Sequence, residues 1–98
     1  MSSNVVPFPK PDLRTALGEV LREERHRQDR TLAEVAEEAA VSLPYLSEVE
    51  RGRKDVSADV LTSIADALEL DVPTVLERTA RRLRVGVQRG AWFQLRAA

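Results

Sequence analysis

The side chains best suited to chemistry in this chain are three cations gathered around one glycine. Arg51, Arg53 and Lys54 flank Gly52, and close-set cations of this kind can neutralise successive phosphates of a nucleic acid. The same run would serve equally as an ordinary solvated surface. Covalent and acid–base chemistry find no comparable cluster. Glu23-Glu24 and Glu37-Glu38 are paired carboxylates, but adjacent residues on a helix point in different directions and cannot share a substrate. The single histidine, His26, has no second ligand nearby and is expected at the surface. With no cysteine in the chain, neither a metal site nor a disulfide is expected. No glycine-rich loop is available to cradle a phosphate. An enzyme is therefore not expected, and no cofactor.

The cations must be held by the elements before and after them. The stretch Thr31 to Gly52, TLAEVAEEAAVSLPYLSEVERG, holds two short apolar runs joined by a turn. Val35, Ala36 and Ala39 make one helical stripe, and Leu46 and Val49 make the next. Thr31 and Glu34 have capping-box spacing. Val41 fits the angle between two crossing helices, Ser42 caps the second, and Gly52 stops it. Small residues at Ala36, Ala39 and Ala40 would let the backbones approach closely. Two short helices joined by a tight bend can place the second in a DNA major groove, although many non-binding domains contain such a hairpin.

Residues 1–11 hold three of the five prolines and no helical period, which predicts a flexible arm. Asp12 is the expected cap of a first helix over about 13–28. Its stripe would be Leu13, Leu17, Val20 and Leu21, and its polar face Glu19, Arg22, Glu23, Arg25 and Arg27. Asp29-Arg30 reads as the following turn. Ser57 should cap a fourth helix over about 58–68, packing Val60, Leu61, Ile64, Ala65 and Leu68 inward. A fifth starts after Asp71, with Pro73 in its first turn and Val72, Val75, Leu76, Ala80 and Leu83 as its stripe. The tail VGVQRGAWFQLRAA contains Gly86 and Gly90, which weaken a continuous helix. It is expected as either a sixth helix or an extended arm.

The chain's 98 residues fit one domain. The formal net charge of −1 argues mildly against nucleic acid, but the charge is segregated. Six acids and no base lie between Asp55 and Glu77, and six arginines and no acid between Arg78 and Ala98. A local basic surface is thus compatible with an acidic total. There is neither a signal-peptide pattern nor an apolar run of membrane-spanning length, so a cytoplasmic protein is expected, nucleoid-associated when bound to DNA.

The stretch Thr31 to Leu70 resembles the Cro/C1-type, or xenobiotic-response-element, family of helix-turn-helix regulators. Ala36, Val41-Ser42, Leu46 and Glu50-Arg51-Gly52 fall at the family spacing, and the likeness covers about residues 13–76. The run VSLPYLSEVERGRKDVS is similar to actinobacterial activators of Clp protease genes. The resemblance implies an all-α, five-helix, lambda-repressor-like domain at 12–76, with an arm at 1–11 and a C-terminal helix or extension at 77–98 for dimerisation.

It also implies that the helix at about 42–51 reads bases through Leu43, Pro44, Ser47 and Glu48. Glutamines common in the family are replaced by Leu43 and Pro44 here, and by Leu32 at the start of the preceding helix. Leu43 could instead pack beneath the preceding turn. Phosphate contacts would come from Thr31, Tyr45, Arg51, Arg53 and Lys54, with Arg14 and Arg30 secondary. Glu50 is expected to tie the helix end to the loop. Pairing in the subgroup implies Leu76, Leu83, Trp92 and Phe93 as dimer contacts. The implied partners are double-stranded DNA with a palindromic or pseudo-palindromic operator, a second copy of the chain, RNA polymerase and a Clp-type protease, with no membrane. The terminal Ala97-Ala98 resembles tags read by Clp-type unfoldases. A protein-binding or antitoxin-like module that reuses the fold is the competing reading, kept open by the glutamine-free reading head.

Overall fold

The computed structural model describes the backbone of residues 12–97 and the side chains of residues 12–86. The predicted arm at 1–11, the side chains of Trp92 and Phe93, and the terminal Ala97-Ala98 side chains lie outside the described residues.

Each helix begins where a short polar side chain satisfies otherwise orphaned backbone donors. In α1 (Leu13–Arg27) the Asp12 carboxylate accepts from the Arg14 N–H at 3.0 Å. In α2 (Leu32–Ala39) the capping box is complete. The Thr31 hydroxyl accepts from the Glu34 N–H at 3.1 Å, and the Glu34 carboxylate accepts from the Thr31 N–H at 2.7 Å. Ser42 caps α3 (Leu43–Glu50) by accepting from the Tyr45 N–H, and Pro44 sits in the first turn, where no donor is missed. Ser57 does the same for α4 (Ala58–Ala67) through the Val60 N–H. The Asp71 carboxylate accepts from the Thr74 N–H at 2.7 Å at the start of α5 (Val72–Ala97).

Among the described residues there are five helices and no strand. Helix α1 packs on α3 and α5, while α2 packs on α3 and α4. The core between them is Val20 and Leu21 from α1, Val35, Ala36 and Ala39 from α2, and Leu46 and Val49 from α3. Ile64, Ala65 and Leu68 close it from α4, and Val75 from α5. Val41 packs on its edge between the two crossing helices, as the turn requires.

Four expectations are corrected. Leu13 does not join the stripe of α1: it is 61% exposed, because the first helical residue overhangs the core. Ala40 is exposed and left-handed (φ 57°), ending α2 rather than allowing a close approach. Leu76 is 53% exposed, so the inward stripe of α5 in this monomer rests on Val75 instead. The tail is neither a separate sixth helix nor an arm, since α5 runs unbroken for 26 residues. No proline follows Pro73, and no Ser, Thr, Asp or Asn follows Thr79 to cap a new helix. Gly86 and Gly90 cost about 1 kcal/mol each, too little to stop a helix already propagating.

Candidate nucleic-acid interface

Burial of Leu46 and Val49 fixes which side of α3 faces away from the core. Leu43 and Pro44 are exposed there, and Ser47 and Glu48 half-exposed. Leu43 is 46% exposed, so it does not pack beneath the preceding turn. The four residues thus form one outward surface at the N-terminal part of a short helix, the part that reaches base edges when such a helix enters a major groove. It offers methyl and methylene contacts, one hydroxyl and one carboxylate.

The C-terminal end of α3 is anchored by a pair of nearly buried charges. Arg25 donates through Nε and a terminal nitrogen to both oxygens of Glu50, at 2.8 and 2.9 Å, and through its other terminal nitrogen to the Arg30 carbonyl at 3.0 Å. The two side chains are only 11% and 7% exposed. Glu50 therefore ties the helix end to α1, not to the loop as the sequence implied, and Arg25 is not on a solvated polar face. Gly18 allows the underlying approach: a Cβ there would lie 2.5 Å from the Val49 carbonyl oxygen. Backbone meets backbone at that point, and only glycine fits.

After α3 the chain turns at Gly52, whose φ of 73° is in the left-handed region. Arg51, Arg53 and Lys54 are exposed on this turn. The Tyr45 hydroxyl donates to the Asp55 carbonyl at 2.8 Å, so Tyr45 holds the loop against α3 and its one O–H is spent there rather than held ready for a phosphate. Thr31 is exposed, with its hydroxyl engaged in the α2 cap. Hydrogen bonds from the Thr31 backbone and side chain hold the Glu34 carboxyl below its ordinary range. Of the secondary cations, Arg30 is committed inward: it donates to the Ala67 carbonyl and pairs with Glu38 at 2.8 Å. Arg14 pairs with Asp55.

Sequence reasoning passed over a second buried charge. Glu24 is 2% exposed and accepts from Arg27, Gln28 and Arg78 at 2.7 Å in the shortest contacts. Burial pushes its carboxyl up, but the bonds from Arg27, Arg78 and Gln28 prevail and lower it to about 2. The signal was present in the spacing, because Glu24 stands three and four residues after Leu21 and Val20, on the apolar stripe itself. Arg78, together with Arg82 paired to Glu19 and Glu23, clamps α5 along α1. Leu76 is left exposed on α5, one heptad before the half-buried Leu83.

Among the described residues no group of histidine, cysteine or acid side chains could hold a metal ion. No helix among them is long and apolar enough to cross a membrane.

Residues 16–78 match the helix-turn-helix domain family. The transcriptional regulator ClgR of Mycobacterium tuberculosis is 49% identical over 77 residues, spanning 74% of this chain and 69% of the relative. The crystal structure of the clp gene regulator ClgR from Corynebacterium glutamicum superposes with a TM-score of 0.82 at 41% identity, covering 89% of this chain and 93% of that one. The restriction-modification controller protein C.Esp1396I, solved as a tetramer with its natural 35 base-pair operator, shares the fold at a TM-score of 0.68 and 20% identity, over 72% of this chain and 93% of that one. With the capped α2–α3 hairpin at its centre, the chain belongs to the helix-turn-helix family of transcriptional regulators, alongside the ClgR proteins.

Proposed function

We propose that this chain binds a palindromic or pseudo-palindromic DNA operator as a homodimer and activates protease or stress genes; the relative from Corynebacterium glutamicum is named a regulator of clp genes. The observation that carries the reading is the outward surface of Leu43, Pro44, Ser47 and Glu48 beside the exposed Arg51, Arg53 and Lys54. Cations that grip phosphates position such a head, and the helix face specifies the sequence. The capping box takes the Thr31 and Glu34 N–H groups, so a further phosphate contact at the start of α2, where family glutamines are absent, would fall to the Leu32 and Ala33 N–H groups.

The homodimer reading is supported by exposed Leu76 on α5, and two paired recognition helices should stand about 34 Å apart, one turn of DNA. Trp92 and Phe93 remain proposed contacts of the same helix. Activation would bring a contact with RNA polymerase, and removal of the regulator would bring a contact with a Clp-type protease. Genome-wide mapping of bound DNA tests the function directly. Recovery of sites upstream of protease genes with two-fold symmetry supports it. A chain that co-purifies with one protein and enriches no DNA would favour the protein-binding module instead.

A further inference from the structure

The basic turn after α3 has a fourth cation beside it, and that cation is already occupied. Arg14, in the first turn of α1, donates through Nε to the carboxylate of Asp55, 41 residues further along the chain. The approach is fixed from several sides. Asp12 caps the turn that carries Arg14. Gly52 lies so close to α1 that an added Cβ would come within 2.8 Å of the Thr15 Cα. The Tyr45 hydroxyl holds the Asp55 backbone at 2.8 Å. These contacts bring the Arg14 guanidinium to the loop that displays Arg51, Arg53 and Lys54, for which the described residues supply no salt-bridge partner. Asp55 is the acid immediately after Lys54.

The pair is open to water, with side chains 53% and 79% exposed. An ion pair so exposed adds little to the fold and is readily exchanged. The geometry points to Asp55 standing in for a DNA phosphate in the free protein: Arg14 leaves it for a backbone phosphate when the basic turn meets a duplex, and the released carboxylate restrains sequence-independent affinity. Mutual hydrogen bonding and attraction raise the Arg14 guanidinium and lower the Asp55 carboxyl from their ordinary ranges, so both groups are charged near neutral pH. In the bound state Asp55 has lost its arginine and takes up a mobile counterion beside the polyanion, which offsets part of what Arg14 contributes. The brake falls on every duplex alike, so it shortens time spent on random DNA while base contacts decide the operator.

This inference rests on the DNA-binding reading, and wild-type binding separates the two. Affinity for a random-sequence duplex is measured at several salt concentrations for the wild type, Asp55→Asn, and Asp55→Asn combined with Arg14→Ala. Circular dichroism confirms the fold of each. Asp55→Asn is expected to bind several-fold more tightly, with a salt slope steeper by up to about one unit, and adding Arg14→Ala is expected to abolish the gain. If the wild type binds but Asp55→Asn changes nothing or weakens binding, the exchange is overturned while the DNA-binding reading stands. A gain that survives the loss of Arg14 also overturns it, since removing any acid near the interface would then suffice. A folded wild type that binds no duplex at any salt would overturn both.

Discussion

Removing one partner of the Arg25–Glu50 pair strands a charge where water barely reaches, with side chains 11% and 7% exposed. Glu50→Ala should therefore cost about 3 kcal/mol by urea unfolding, and replacing both partners by apolar residues of similar size should recover much of the loss. A double variant as unstable as Glu50→Ala alone would show that the pair is not acting as a unit. Glu24 makes a second testable case. Its folded-state carboxyl is lowered from an ordinary 4.5 to about 2. Its stabilisation is therefore fully present above about pH 4.5 and is lost as pH falls towards 2. The lost contribution is at most about 2–3 kcal/mol, since Arg27 and Arg78 are partly open to water. Glu24→Gln should lower stability at pH 7 and flatten the decline between about pH 4.5 and 2; an unchanged acid limb would remove Glu24 as its source. Both charges sit at helical spacing from core residues, Glu24 four after Val20 and Glu50 four after Leu46. Their positions were legible. Arg27 and Gln28, three and four residues after Glu24, stand at legible spacing too. Arg25 and Arg78, however, meet Glu50 and Glu24 across helices, and a pattern within one helix carries no information about that.

At the scale of elements, the caps were the most readable feature. Asp12, Thr31, Ser42, Ser57 and Asp71 each accept from the backbone where their type and spacing predicted. Cap and stripe together are local properties, so a single sequence displays them. The end of α5 was harder, because two glycines weigh against a helix and the absence of any stop or cap weighs for it. The apolar spacing of Leu46 and Val49 also made the outward face of α3 legible, and with it the proposed division of labour. Ser47→Ala or Leu43→Ala should cost about 1–3 kcal/mol on the true operator and little on random DNA. Arg53→Ala with Lys54→Ala should weaken both duplexes alike and lower the salt slope by about one unit per lost phosphate contact. Equal losses from the α3 variants on both duplexes, with the fold intact, would show the reading face to be misassigned.

For the whole molecule, the proposed pairing of two reading heads would run through α5. Arg78 and Arg82 fasten α5 to α1, so any partner seated on α5 is rigidly linked to the body that carries α3. Leu76 is exposed at 53%, and its replacement should spare the monomer fold. Leu76→Asp should shift sedimentation towards a folded monomer and weaken operator binding, because two half-sites then engage independently. A mutant that remains fully dimeric would move the interface elsewhere on α5, with Trp92 and Phe93 the next to truncate. The place of Leu76 was not legible in the sequence: an apolar residue at heptad spacing suits a monomer core and a proposed dimer seam equally well, and its exposure excludes the first.

The α3 face and its adjoining cations are proposed to read a specific duplex. The most direct test is the binding of the wild-type chain to DNA from upstream of its own gene and to a random duplex of equal length, over a range of salt and with competitor DNA. The expected result is a complex on the upstream DNA that survives competitor, weakens steeply as salt rises, and exceeds random binding by about a thousandfold or more. Equal affinity for the two duplexes, or binding indifferent to salt, would contradict it.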